Sequence, residues 1–283
     1  MEATDLTLDE KESRLRGILG AIPGVALVAF SGGADSALLL AVAHRVLGPR
    51  CVAVTADSPS LPREELSAAR AFASRYAIEH RLVRTGEMEN PRFVRNDADR
   101  CFHCKGALFE AMSAVSGEAG GGAMLFGAIT DDMGDWRPGM EAARVAGARA
   151  PLLEAGFTKA DVRALSRKLG LPTWDKPAAA CLSSRFPTGR PITLDDLARV
   201  ERAEAALHGE GFPQCRVRLL GDSARVEVPE ERLGELLREP LRSRIIGEMK
   251  ALGFRFVTLD LEGFRSGSLN PSTERTHGIR RDT

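Results

Sequence analysis

Residues Val25–Ala37, VALVAFSGGADSA, constrain the chain more than any other stretch. Val25 to Phe30 is an unbroken, valine-rich apolar run between Pro23-Gly24 and Ser31-Gly32-Gly33. Such a run reads as a strand buried on both faces, as in a parallel sheet. From Asp35 the apolar residues fall at helical intervals through Leu38, Leu39, Leu40, Val42 and Val46, and they stop at Gly48-Pro49. The stretch therefore predicts a strand, a tight turn and a helix. The two glycines let backbone approach a ligand closely. Ser31 and Ser36 add hydroxyls, and the open N–H groups and dipole of the new helix favour an anion. An ordinary strand-to-helix turn also uses Gly and Ser. The full string SGGADS, set between a buried strand and a helix, points instead to phosphate.

The string resembles the pyrophosphate-binding loop, SGGxDS, of the N-type ATP pyrophosphatases. It lacks the G-x-x-x-x-G-K signature of Walker nucleotidases. The resemblance implies that ATP is split to AMP and pyrophosphate, with AMP usually placed on a carboxyl or carbonyl oxygen. It also implies that Ser31, Gly32, Gly33, Asp35 and Ser36 hold the pyrophosphate end of ATP.

Bulk composition narrows the partners. The 283 residues allow one large domain or two modest ones. Lys+Arg and Asp+Glu are both 39, so the chain carries no basic excess of the kind that long nucleic acids select. A small-molecule substrate is expected, with neither nucleic acid nor membrane as partner. No stretch is apolar enough to span a bilayer, and the charged N-terminus does not read as a signal peptide, so a cytoplasmic address is expected. Five cysteines in a chain of this size do not suggest a disulfide framework.

Residues 5–20 predict an amphipathic helix. Cys51–Thr55 predicts a second buried strand, which ends at Ala56-Asp57. In sheets of this class ligands lie beyond the carboxyl ends of strands, so backbone near Ala56 is placed to meet adenine. Asp57 belongs either there or to the turn. A helix is expected over 63–76, a short strand over 80–84, and a polar loop over 90–105 containing NDADRCFHCK. A helix then resumes over 108–115. The strand expected over 124–129 runs into Thr130-Asp131-Asp132. Two adjacent carboxylates at a strand end suit magnesium, which takes few protein oxygens alongside phosphate; they also suit a cap or turn. Arg137 adds a candidate phosphate partner. Thr158–Leu169 predicts a helix with a capping box in which Asp161 stands in for Glu, closed by Gly170.

Pro191 marks the expected junction between a nucleotide-binding domain, 1–190, and a C-terminal domain, 191–283. The second part predicts a helix over 194–207, paired strands over 216–220 and 225–228 around Gly221-Asp222, helical residues over 229–253 broken at Pro240, and a strand over 254–261. That order suggests a small α+β domain.

Cys101-Phe102-His103-Cys104 is a C-x-x-C, and Cys181 stands far along the chain. Zinc wants four ligands and no second close pair is present. Three thiolates suit a [4Fe–4S] cluster with one open iron able to bind an extra sulfide. Cys181 is also a candidate on its own, as nucleophile or sulfur donor. Lys176, Arg185 and Arg190 would lower its pKa if they face it. Cys51 and Cys215, at strand starts, read as core residues.

Four motifs, KPAAACLSSRFPTG, DRCFHCK, GAITDDMGDWRPG and VTLDLEGFRSGSLN, together resemble the LarE family of ATP-dependent sulfur transferases, from the loop to about Asn270. The resemblance implies a Rossmann-like adenine nucleotide α-hydrolase (PP-loop) domain with a parallel sheet and a small C-terminal α+β domain for substrate binding and oligomerisation. It further implies adenylation and thiolation of the carboxylates of pyridinium-3,5-biscarboxylic acid mononucleotide, for the nickel-pincer cofactor of lactate racemase. Sulfur would come from Cys181 itself, which becomes dehydroalanine, or from a [4Fe–4S] cluster on Cys101, Cys104 and Cys181. ATP and magnesium are the other implied cofactors. Lys105 and Ser184 belong, on this resemblance, to the nucleotide or sulfur site. Arg216, Arg218 and Glu227 would line the substrate pocket, with Glu204 and Glu235 as further acidic candidates. Relatives form homo-oligomers, and a partner that resupplies sulfur is implied. Competing readings are a tRNA thiolase of the same superfamily and a non-catalytic nucleotide sensor.

Overall fold

A computed structural model describes residues 6–118, 120–134, 138–177 and 180–265. It divides into two compact units. The larger comprises 1–95 and 99–181; the smaller comprises 96–98 and 182–283.

The larger unit opens with helix α1 (Leu8–Gly20), which starts one turn later than the apolar pattern suggests. Thr7 sets the start: its hydroxyl accepts from the Glu10 amide while the Glu10 carboxylate accepts from the Thr7 amide. Strand β1 (Val25–Ala29) then feeds helix α2 (Ala34–Leu47) through the serine–glycine turn. Strand β2 (Cys51–Asp57), helix α3 (Arg63–Arg75) and strand β3 (Glu79–Arg84) follow. After the short helix α4 (Pro91–Val94) comes a long helix, α5 (Arg100–Glu118). Strand β4 (Gly122–Leu125) is followed by helices α6 (Pro138–Val145), α7 (Pro151–Glu154) and α8 (Lys159–Lys168). The capping box expected at Thr158 and Asp161 is present.

The four strands form one parallel sheet in the order β3-β2-β1-β4. Alternation along β1 sends Ala26, Val28 and Phe30 to one face and Leu27 and Ala29 to the other. The first face packs on Leu15 and Leu19 of α1, most of α2, and Val162 and Leu165 of α8. The second packs on Leu108, Phe109, Met112 and Val115 of α5. With both faces covered, the central strands must be apolar on both sides, as the sequence of β1 and β2 is. The expected Rossmann-like α/β class holds.

The expected polar loop over 90–105 is a correction. Its second half is the first turn of α5, and residues 91–94 are helical. The polar face of that turn hides the pattern, because the apolar spacing of α5 begins only at Leu108.

In the smaller unit, helix α9 (Leu194–Gly209) is capped by Thr193. Strands β5 (Arg216–Leu220) and β6 (Ser223–Glu227) pair antiparallel around Gly221, which sits at φ +59°. Helices α10 (Leu233–Leu236) and α11 (Leu241–Ala251) precede strand β7 (Phe256–Leu259), which joins β6 in parallel. Asn96 belongs here through its own amide, which donates to Pro187 O at 2.8 Å. No helix among the described residues is long and apolar enough to cross a membrane.

Ion pairs fasten α1 to α8: Lys168 binds Asp9 and Glu12 at the surface, and a more buried pair lies beneath. Lys11, 6% exposed, donates to Asp161 Oδ2 at 2.7 Å, and the same oxygen accepts from the Thr158 amide at 2.8 Å. Burial pushes the Asp161 pKa up, but Lys11 and Thr158 outweigh it and hold the carboxyl below its ordinary 3.8. Asp161→Asn should cost about 2–4 kcal/mol, the loss of a cap plus a largely buried partner. A depressed carboxyl contributes stability above the unfolded value and loses it as pH falls through the folded one. The gap between wild type and variant in urea denaturation should therefore be constant from pH 7 to about 5 and shrink below about 4.

Candidate functional site

The topology decides where a ligand can lie. In the order β3-β2-β1-β4 the chain leaves β1 to opposite sides, so a crevice opens beyond its carboxyl end. Ser31–Ser36 is the segment leaving β1, and Gly127–Asp132 is the segment leaving its neighbour β4. The sequence assigns the pyrophosphate loop and the paired carboxylates to these two segments.

The loop is internally braced. The Ser36 hydroxyl donates to Gly33 O at 3.1 Å, lies 3.2 Å from the Ser31 hydroxyl, and accepts from the Ser31 amide at 3.3 Å. Gly32 is at φ +76°, a conformation that side-chain-bearing residues rarely adopt. Helix α2 starts at Gly33 with no side-chain cap, unlike α1, α8 and α9. Its first-turn amides are therefore left to another acceptor.

Gly127 presses against this loop. A Cβ there would lie 2.9 Å from Ser36 N, 3.0 Å from Asp35 C and 3.1 Å from Ser36 Cα. All three are backbone atoms, so nothing can swing aside. Sequence reading missed Gly127; its position in GAITDD, just past a strand end, was the signal.

Asp35, on the first turn of α2, is bound by Lys159. The ammonium reaches Asp35 Oδ1 at 2.7 Å and Oδ2 at 2.8 Å. The backbone amide of Lys159 donates to Asp131 Oδ2 at 2.9 Å. Asp132 accepts from the Ile129 amide at 3.0 Å. Asp132 thus caps its own turn, the reading the sequence left open beside magnesium, while Asp131 binds the start of α8. Asp35 and Asp131 are both bound by Lys159, one through its ammonium and the other through its backbone amide. Arg137 lies outside the described residues. Ala56 is the penultimate residue of β2, and Asp57, its last, is paired with Arg63.

The second group of interest is the thiols. Cys101 and Cys104 stand on the first turn of α5, three residues apart and so on one face. Cys101 is exposed, while Cys104 and Cys181 are half-buried. Burial pushes the Cys104 thiol up to about 12, and charge on Cys181, Glu87 and Cys101 adds to the rise while Lys105 opposes it. Burial pulls the Arg100 guanidinium down, but Cys181, Cys101 and Cys104 more than restore it. These influences place the three sulfurs and Arg100 in one electrostatic neighbourhood. Three thiols there suit a [4Fe–4S] cluster in kind and number. Among the described residues, however, no group of three or more His, Cys, Asp or Glu is arranged to hold a metal ion.

The cations expected to face Cys181 have other duties. Lys176 donates to Gly32 O at 3.1 Å and pairs with Glu65 at 2.5 Å. Arg190 reaches Asp196 and the carbonyls of Leu219 and Gly221. Arg185, 2% exposed, grips Glu204 with two bonds of 2.9 and 2.8 Å. Arg100, which sequence reading passed over within DRCFHCK, is the cation that Cys181 does affect.

Within the smaller unit, Arg218 binds Glu227 through two bonds, 3.0 and 2.9 Å, and donates to Ser184 O at 2.8 Å. Glu227 is fully buried and also pairs with Arg225. The Ser184 hydroxyl accepts from Arg185 at 3.0 Å. Burial, then the nearby Arg185, lower the Arg216 pKa, and Arg218 adds to this. Arg216 lies 5.0 Å from the Phe264 ring centroid and donates to Cys215 O. The guanidiniums of Arg185, Arg216, Arg218 and Arg225 therefore gather here, and among the described residues Arg216 is the one of the four in no ion pair with a carboxylate. Glu235 is elsewhere, in an ion pair with Arg232.

A Rossmann-like sheet with an SGGxDS turn at the switch strand defines a PP-loop domain. No family model matches the chain. A pyridinium-3,5-bisthiocarboxylic acid mononucleotide synthase from Lactiplantibacillus plantarum is 40% identical over 86% of this chain and 88% of its own length. An uncharacterized protein of Synechocystis is 44% identical over 93% and 98%. One subunit of a glutamine-hydrolyzing GMP synthase from Thermoplasma volcanium is 26% identical over 56% of both chains. The chain belongs to the LarE family.

The backbone contact at Gly127 gives a direct test. Gly127→Ala must separate the β4 end from the loop, and overpacking of this kind costs about 1–3 kcal/mol. Urea denaturation should show that loss, whereas Gly209→Ala, whose Cβ meets nothing within 4 Å, should be neutral or stabilising.

Proposed function

We propose that this protein is an ATP-dependent sulfur transferase that adenylates and thiolates the carboxylates of pyridinium-3,5-biscarboxylic acid mononucleotide. One observation carries the link between ATP and sulfur. Lys176 is fixed to Gly32 of the pyrophosphate loop, and Cys181 follows five residues later. At no more than about 3.6 Å per residue, the Cys181 Cα lies within about 18 Å of that of Lys176. The thiol and the loop are thus tethered within one unit.

The chemistry follows from leaving groups. A carboxylate resists sulfur because oxide would have to leave. Its oxygen attacks the α-phosphorus of ATP, pyrophosphate departs with the bonding electrons, and an acyl adenylate results. Ser31, Gly32, Gly33, Asp35 and Ser36 receive the pyrophosphate, and backbone at Ala56 meets the adenine. Asp131 and Asp132 are the carboxylates that would hold magnesium, which neutralises phosphate charge. A thiolate, softer and more nucleophilic than water, then attacks the acyl carbon and AMP leaves.

With Cys181 as donor the product is a thioester. Loss of its Cα proton and cleavage of Cβ–Sγ, the electrons going to sulfur, release the thiocarboxylate and leave dehydroalanine. Cys101, Cys104 and Cys181 are the residues that would hold a [4Fe–4S] cluster, which when bound supplies a transferable sulfide. Lys105 beside Cys104 and Arg100 among the thiols offset negative charge as sulfur becomes anionic. Arg216 and Arg218 bind the substrate's anionic groups; Glu227, Glu204 and Ser184 hold the arginines in place. Magnesium, ATP and the mononucleotide are the small-molecule partners. A homo-oligomer, a cytoplasmic address and a sulfur-resupplying partner complete the proposal, as do domain limits of 1–190 and 191–283.

With ATP and magnesium, the pyridinium mononucleotide should stimulate pyrophosphate and AMP release, and tRNA should not. Cys181→Ala should retain adenylation and lose at least 100-fold in thiocarboxylate, followed by mass spectrometry. Stimulation by tRNA alone would assign the chain to a tRNA thiolase. Thiocarboxylate formed at the wild-type rate by Cys181→Ala would move the donor elsewhere.

A further inference from the structure

A loop that receives a polyanion carries a carboxylate of its own, Asp35. Left alone, Asp35 would repel the phosphates it sits among. At 4–5 Å two like charges near a protein surface cost on the order of 4 kcal/mol. Something must offset that repulsion, and the structure shows what does. Lys159 reaches across from the first residue of α8 and spans both oxygens of Asp35.

The placement is over-determined. Thr158 caps α8, and its neighbour Phe157 accepts from the Thr130 amide and hydroxyl at 2.9 and 3.0 Å. The Lys159 amide is tied to Asp131. The start of α8 is therefore stitched to the segment leaving β4, beside the loop leaving β1. Neither partner of the ion pair is sealed: the Lys159 side chain is 32% exposed and that of Asp35 is 29%. An ammonium has three donors, and Asp35 takes two of them.

We propose that Lys159 is a phosphate-binding residue of the pyrophosphate loop, its ammonium bridging Asp35 and the triphosphate of ATP. This rests on the reading of Ser31–Ser36 as an ATP site. Lys159 then supplies the cation that the G-x-x-x-x-G-K loops of Walker proteins carry within the loop and this loop lacks. It comes from a distant segment, 124 residues beyond Asp35. Adenine and ribose make no use of this cation, so its effect is confined to the phosphates.

The test is equilibrium binding by calorimetry, with magnesium-free and magnesium-containing ATP, inorganic pyrophosphate and adenosine as probes. Lys159→Met should weaken pyrophosphate and ATP by roughly 10–100-fold, the worth of a charge-assisted hydrogen bond, and leave adenosine within about twofold. Lys159→Arg should recover at least part of the pyrophosphate affinity. Wild-type affinity for pyrophosphate in Lys159→Met would overturn the proposal while the ATP site stands. An equal loss for adenosine in Lys159→Met and Lys159→Arg, both melting like wild type, would also overturn it by making Lys159 purely structural. A wild-type protein that binds neither ATP nor pyrophosphate would remove the ATP reading itself.

Discussion

The larger unit depends on how near two backbones are allowed to come. The segment leaving β4 touches the turn leaving β1 at Gly127, where a Cβ would be 2.9 Å from Ser36 N. Parallel strands are about 4.8 Å apart, and their exits normally diverge. Here contact persists past the end of the sheet, so a side chain at 127 would have to part the two backbones. A loop braced in this way would lose less freedom on taking up the proposed phosphates. The internal hydroxyl bonds of Ser31 and Ser36 serve the same end.

Charge is handled differently in the two units, and burial decides how. In the smaller unit, Arg185–Glu204 and Arg218–Glu227 are sealed from water with two bonds each. Removing one member of such a pair strands the other charge, at about 3–5 kcal/mol. These pairs fix the guanidiniums of Arg185 and Arg218 in place. Around the loop, Lys159–Asp35 remains part-exposed, so its partners can be exchanged at low cost. The second arrangement suits the anion exchange proposed for this loop.

Much of this was legible from the sequence, for reasons that are local. The strand at Val25, the turn at SGGADS, the helix after it and the cap at Thr158 each declare themselves within a few residues. The start of α5 did not, because apart from Phe102 the stretch Asp99–Lys105 is polar or bears thiols, and its helical face shows only from Leu108 onward. Lys159 and Gly127 were silent for another reason. Each acts on a residue far along the chain, and neither type is unusual where it stands. Lys176 was noticed for its nearness to Cys181 in sequence, but its ammonium goes to Gly32 and Glu65.

Placing the C-x-x-C on a helix changes what the cysteines can do. In a loop the two thiols would be free to converge on any centre. On α5 they are fixed three residues apart on one face, with Cys104 crowded and Cys101 open. Burial, more than any neighbouring charge, pushes the Cys104 thiol up to about 12. Cys181 follows Lys176, whose ammonium is bound to Gly32, by five residues.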